Sequence, residues 1–217
     1  MKNYHTIAFD LDGTLTDSSP GLTLSFRYAM RKLGIPDESR ESLKRFIGPP
    51  LREEFQREYG ISAEESNKAL ALFREYFSVY GWWDNKLYDG AAELLSDLKK
   101  SGKRIILASS KPEVFAVQIL KLFGIYDYFD FIGAATLDKK RATKIEVLEY
   151  ALEACGAKAD GLDGVILIGD TKFDVEGANS VGIDSLAVLY GFGNEEEILK
   201  ESPTYIAKTV DEIRNYI

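Results

Sequence analysis

From residue 87 onward, short runs of β-branched and aliphatic residues alternate with stretches of helical periodicity. The apolar runs cover 104–108, 131–134, 165–168 and 185–189, and the helical stretches cover 90–100, 112–123, 141–155 and 173–181. Apolar runs without polar alternation read as strands buried on both faces, the condition of a parallel sheet sandwiched between helices. One further run, 6–9, opens the chain. A chain of 217 residues, 45% of them hydrophobic, that reads this way is expected to be an α/β protein with a doubly wound parallel sheet. Residues 17–85 break the pattern and contain no convincing strand. Leu22, Phe26, Ala29, Met30 and Leu33 line one face of a helix that begins near Ser19 and Pro20 and stops at Gly34. Helices over 38–46 and 51–59 follow, and Ser62 with Glu65 forms a capping box for another that runs to Tyr80. The expected division is a core of 1–15 and 88–217 with a helical insert over 16–87.

Ligand sites in open parallel sheets lie beyond the carboxyl ends of the strands. The first strand ends in Asp10-Leu11-Asp12-Gly13-Thr14. Two carboxylates two residues apart leave a strand on one side, and like charges so close repel unless a cation or proton separates them. A hard cation such as Mg²⁺, bound by carboxylate oxygen, answers that need. The second strand delivers Ser109-Ser110-Lys111-Pro112, hydroxyls and N–H groups at a helix start that cap the helix or bind phosphate. The fourth delivers Gly169-Asp170-Thr171-Lys172-Phe173-Asp174, a second acidic cluster. Lys144 opens the preceding helix, where a cation opposes the macrodipole.

The formal net charge of −8 speaks against nucleic acid or an anionic membrane surface as partner. A single cysteine, Cys155, excludes an internal disulfide, and its apolar-periodic setting reads as packing. The only histidine, His5, precedes the first strand, so histidine-based acid/base chemistry is not expected. No apolar run approaches the roughly 20 residues of a membrane span, and a cytoplasmic protein is expected.

Taken together, Asp10-x-Asp12-Gly13-Thr14, Ser109, Lys144 and Gly169-Asp170-x-x-x-Asp174 resemble the four motifs of the haloacid dehalogenase superfamily of phosphatases, in order and in strand context. Ser109 stands where threonine is common, with the hydroxyl kept. The segment Phe46-Ile47-Gly48-Pro49-Pro50-Leu51-Arg52, and Leu189-Tyr190-Gly191-Phe192-Gly193, resemble the phosphoglycolate phosphatase and 5′-nucleotidase-like branch. The resemblance implies a Rossmann-like core with a mobile helical cap. It implies Asp10 as nucleophile and Asp12 as acid and base. It implies Mg²⁺ held by Asp10, the Asp12 carbonyl and Asp170, with Asp174 nearby. Ser109, the Ser110 N–H and Lys144 would bind phosphoryl oxygens, and Arg52 and Arg45 would offer cap contacts to an anionic substrate. The implied substrate is a small phosphorylated metabolite, 2-phosphoglycolate first. The alternatives are a 5′-nucleotidase, a pyrophosphatase, a sugar-phosphate phosphatase or mutase, and a receiver-like phospho-acceptor module. A monomer or weak dimer is expected.

Overall fold

The computed structural model describes residues 2–48, 51–138 and 140–217. Pro49 and Pro50, the centre of the Gly48-Pro49-Pro50-Leu51 stretch, lie outside the described residues. In chain order the elements are β1 (Thr6–Phe9), β2 (Thr16–Asp17), α1 (Ser19–Leu33), α2 (Arg40–Leu43), α3 (Leu51–Tyr59), α4 (Ala63–Tyr76), β3 (Lys86–Leu87), α5 (Ala91–Lys100), β4 (Arg104–Pro112), α6 (Glu113–Leu122) and β5 (Phe131–Ala135). There follow α7 (Lys144–Ala154), α8 (Ala157–Asp160), β6 (Val165–Gly169), α9 (Lys172–Val181), β7 (Asp184–Val188), α10 (Glu195–Lys200), β8 (Tyr205–Ala207) and α11 (Val210–Ile213). The chain divides into two compact units, one of Met1–Asp17 with Leu87–Ile217 and one of Ser18–Lys86.

The larger unit holds a six-stranded sheet in the order β5-β4-β1-β6-β7-β8, every pairing parallel. All residues of β1 and β6 are buried, which explains their uninterrupted apolar sequence. Helix α7 packs on this sheet through Val147, Leu148, Ala151 and Leu152 against Ala8, Ile106 and Leu167. After β1 the chain builds outward through β4 and β5, then returns to the other side of β1 for β6, β7 and β8. The strand order therefore reverses at β1, and the carboxyl ends of β4, β1 and β6 open on one crevice.

The smaller unit is helical. Its core is aromatic: Phe26 lies 4.9 Å from Phe73 and 5.4 Å from Phe46 between ring centroids, and Phe46 stacks on Phe55. Ser62 accepts from the Glu65 N–H while the Glu65 carboxylate accepts from the Ser62 N–H, so the expected capping box forms. The helix expected to reach Tyr80 instead ends at Tyr76 and continues as a wider π-turn over Phe77–Gly81. A Cβ at Gly21 would stand 1.9 Å from the Gly81 carbonyl oxygen, so the wide turn closes directly on α1. Among the described residues no helix is long and apolar enough to cross a membrane.

Candidate active site

Asp10 follows β1 directly, is 8% exposed, and donates its backbone N–H to the Ile168 carbonyl of β6. Asp170 follows β6 and is fully buried. Asp174 sits in the first turn of α9, where its Oδ2 accepts from the Thr171 N–H at 3.0 Å and the Thr171 hydroxyl at 2.7 Å. The carboxylate that caps α9 thus has its other oxygen turned inward. One oxygen from each of Asp10, Asp170 and Asp174 lies within 4.8 Å of the other two.

Lys144, the first residue of α7, reaches into this cluster and is 7% exposed. Its Nζ stands 2.9 Å from Asp10 Oδ1, 2.7 Å from Asp174 Oδ1 and 2.8 Å from the Ala108 carbonyl oxygen. The ammonium donates a hydrogen bond to the Ala108 carbonyl and forms ion pairs with the two carboxylates. The terminal lysine of a helix is therefore a buried counter-ion. Burial pulls its pKa down, but Asp10 and Asp174 outweigh burial and hold it above the usual lysine value. Burial, then Asp174 and Asp10, push the Asp170 carboxyl well above the carboxylate range, against the opposing Phe192 N–H and Lys144. Burial, joined by Asp10, likewise raises Asp174.

Three carboxylates around one ammonium leave an excess of negative charge. Asp10 Oδ1 and Asp174 Oδ1 are buried, accept no well-aligned hydrogen bond, and have the Lys144 ammonium as counter-charge. Convergent hard oxygen donors with unmet negative charge suit Mg²⁺ by chemistry and by charge.

The Asp12 carboxylate does not join this cluster. Its Oδ1 and Oδ2 lie 2.9 and 2.7 Å from Lys111 Nζ. Ser109 is buried, with its Oγ accepting from the Lys111 N–H at 3.3 Å, and Ser110 is exposed. Both lie within β4, which runs to Pro112 rather than ending at 108. Arg52 lies in α3 of the smaller unit, its carbonyl accepting from the Ser66 hydroxyl. Arg45 pairs with Glu38 and Glu58, so its guanidinium is engaged within that unit.

Three partners of the site carried no role in the sequence reading. Thr14 donates its hydroxyl to Asp170 Oδ1 at 3.2 Å, the Phe192 N–H donates to Asp170 Oδ2 at 2.7 Å, and Lys111 holds Asp12. Tyr190 ties the loop after β7 to the loop after β1 through a 2.8 Å bond to the Thr14 carbonyl. The signal for the Phe192 contact is the Gly191-Phe192-Gly193 sequence, because a Cβ at Gly191 would fall 2.3 Å from Asp170 Cβ.

Residues 7–188 match the haloacid dehalogenase-like hydrolase family. The chain belongs to that family. It is a haloacid dehalogenase-like hydrolase, and it is similar to several relatives over nearly its whole length. It is 39% identical over 210 residues to the tyrosine-protein kinase PtkA of Mycobacterium tuberculosis, covering 96% of this chain and 70% of the relative. It is 36% identical to a 5′-nucleotidase of Pseudomonas aeruginosa, covering 99% and 96%. It is 30% identical to a phosphoglycolate phosphatase of Vibrio parahaemolyticus, covering 98% and 96%. The solved haloacid dehalogenase-like hydrolase SP0104 of Streptococcus pneumoniae superposes with a TM-score of 0.89 at 32% identity, covering 98% of each chain.

In this hydrolase Gly13 has φ +84°, and a Cβ there would lie 2.1 Å from Asp170 Oδ2. Gly13→Ala will therefore displace Asp170 as well as strain the loop by about 1–2 kcal/mol. Mg²⁺ titration calorimetry should show affinity weakened at least about tenfold, on the scale of a misplaced ligand. Unchanged affinity would mean that Asp170 has room to move.

Proposed function

We propose that this chain is a Mg²⁺-dependent phosphomonoester hydrolase that works through an aspartyl-phosphate on Asp10 and acts on a small phosphorylated metabolite, with 2-phosphoglycolate the first candidate. The observation that carries the reading is the Asp10 carboxylate at the end of β1, held at 2.9 Å by Lys144 beside Asp170 and Asp174. Asp10 attacks phosphorus and the ester oxygen leaves with a proton from Asp12. Water then attacks the phosphorus and yields its proton to Asp12, Asp10 returns as carboxylate and inorganic phosphate departs. Ser109 and the Ser110 N–H, in the last four residues of β4, receive phosphoryl oxygens. Lys144 fixes Asp10 against Asp174, so the nucleophile is oriented before substrate arrives. Asp10 and Asp170, with Asp174 beside them, would hold Mg²⁺, which when bound would supply positive charge against the transferring group.

Identity to the 5′-nucleotidase supports nucleoside 5′-monophosphates as the second substrate reading. The relative named as a tyrosine-protein kinase points to another acceptor, a tyrosine hydroxyl in place of water. Phosphate release should be measured with Mg²⁺ and with EDTA on 2-phosphoglycolate, nucleoside 5′-monophosphates, pyrophosphate and sugar phosphates, with ATP and a tyrosine peptide as a separate arm. One metal-dependent phosphomonoester preferred by about 10²-fold or more in kcat/KM supports the proposal and names the branch. Transfer from ATP to tyrosine without phosphomonoester turnover would sink it.

A further inference from the structure

The strand ends carry two buried ammonium groups, and the proposed chemistry uses one. Lys144 is committed to Asp10, Asp174 and the Ala108 carbonyl. Lys111 has a side chain only 3% exposed and contacts both oxygens of Asp12, which is itself 20% exposed. Removing an ammonium from water costs several kcal/mol unless a partner compensates, so a surface-type pairing does not account for this placement.

The backbone is shaped for the contact. The pairing of β4 with β5 shifts register between Ser109 and Pro112. Such an irregularity turns a side chain away from the direction that regular alternation would give it. The Ser109 hydroxyl accepts from the Lys111 N–H and anchors the shifted segment. Lys111 is thereby delivered to the carboxylate that follows Asp10 by two residues, while Lys144 serves Asp10 itself.

We propose that Lys111 is a positioning residue for Asp12 in the second half-reaction, holding its carboxylate as the base for the attacking water. The inference rests on the roles of Asp10 and Asp12 given under Proposed function. In that step the water oxygen bonds to phosphorus while the bond from phosphorus to the Asp10 oxygen breaks. The electron pair returns to Asp10, the water proton passes to Asp12, and phosphate leaves. Lys111 forms no bond and transfers no proton; it fixes where the Asp12 oxygens stand.

The two half-reactions separate with p-nitrophenyl phosphate. Its phenolate departs with little need of a proton, so aspartyl-phosphate formation makes little demand on Asp12. Stopped-flow release of nitrophenolate by Lys111→Met, with Mg²⁺, should show a burst of about one equivalent per chain at the parental rate. Steady-state kcat should then be lower by about 10²-fold, the scale of a positioned base, with KM falling in parallel as phosphoenzyme accumulates. Lys111→Arg should recover most of the steady-state rate, and Lys111→Gln should behave as the Met variant does. Loss of burst and steady state together with a raised KM would overturn the inference and make Lys111 a ligand of the phosphoryl group. Unchanged kinetics would overturn it and leave a passive ion pair. A parent chain that releases no nitrophenolate or phosphate from any ester overturns the phosphatase chemistry first, and this inference with it.

Discussion

Asp10→Asn will fold and will turn over no phosphomonoester. The amide keeps the size of the side chain and leaves an oxygen for Lys144, 2.9 Å away in the parent. It also removes one of three converging negative charges, so the cluster becomes less repulsive and stability should not fall. The chemistry has no comparable substitute. An amide oxygen is a poor nucleophile, and removing the nucleophile of a covalent mechanism costs on the order of 10⁶ in kcat. Steady-state phosphate release and trapping of labelled phosphoenzyme are the measurements. Turnover within about a hundredfold of the parent, or a phosphoenzyme still formed, would mean that another group attacks phosphorus.

Removing divalent cations has the next largest effect, and its pH dependence has a definite sign. In the metal-free protein burial and neighbouring carboxylates raise Asp170 well above its ordinary value of 3.8, and burial also raises Asp174. Across the window between the ordinary and the raised values the folded chain binds more protons than the unfolded one. Its stability therefore falls as pH rises through that window. A cation that binds the ionised cluster reverses the loss. Scanning calorimetry with EDTA and with saturating Mg²⁺ should show a Tm gain of about 5–10 °C near pH 8, from about 2.7 kcal/mol at a hundredfold excess over Kd. The gain should shrink near pH 5, where protons already occupy the site. An equal gain at both pH values would mean that the cation binds elsewhere. Activity in EDTA should fall by several orders of magnitude.

The strands were legible because burial on both faces leaves a continuous apolar trace. The runs at 6–9 and 165–168 appear as β1 and β6 with ends displaced by no more than one residue. Helix starts were less legible. The stretch expected to begin at 141 begins at Lys144, because Thr143 and Glu146 form a capping box there. That pair is in the sequence, and its consequence is large, since it places Lys144 at the helix entrance facing the cluster. The acidic groups were readable from their position after strands. Which carboxylate meets which cation was not, because it depends on the register shift in β4 and on side chains 99 residues apart, Asp12 and Lys111. The backbone contact from Phe192 to Asp170 left only a trace, the glycines on either side.

The strand that begins the sheet is also the one that must wait. β1 lies between Arg104–Leu107 on one side and Val165–Ile168 on the other, so its partners are synthesised long after it. At about 5–20 residues per second, the interval before β6 is made is roughly eight to thirty seconds. The helical unit Ser18–Lys86 is continuous in sequence and needs no such delay. During translation the nascent chain therefore carries an unpaired apolar strand ahead of a helical unit that is continuous in sequence. Assembly of the catalytic sheet, and with it the Asp10 and Asp170 cluster, is deferred until β6 and the residue that follows it have been made.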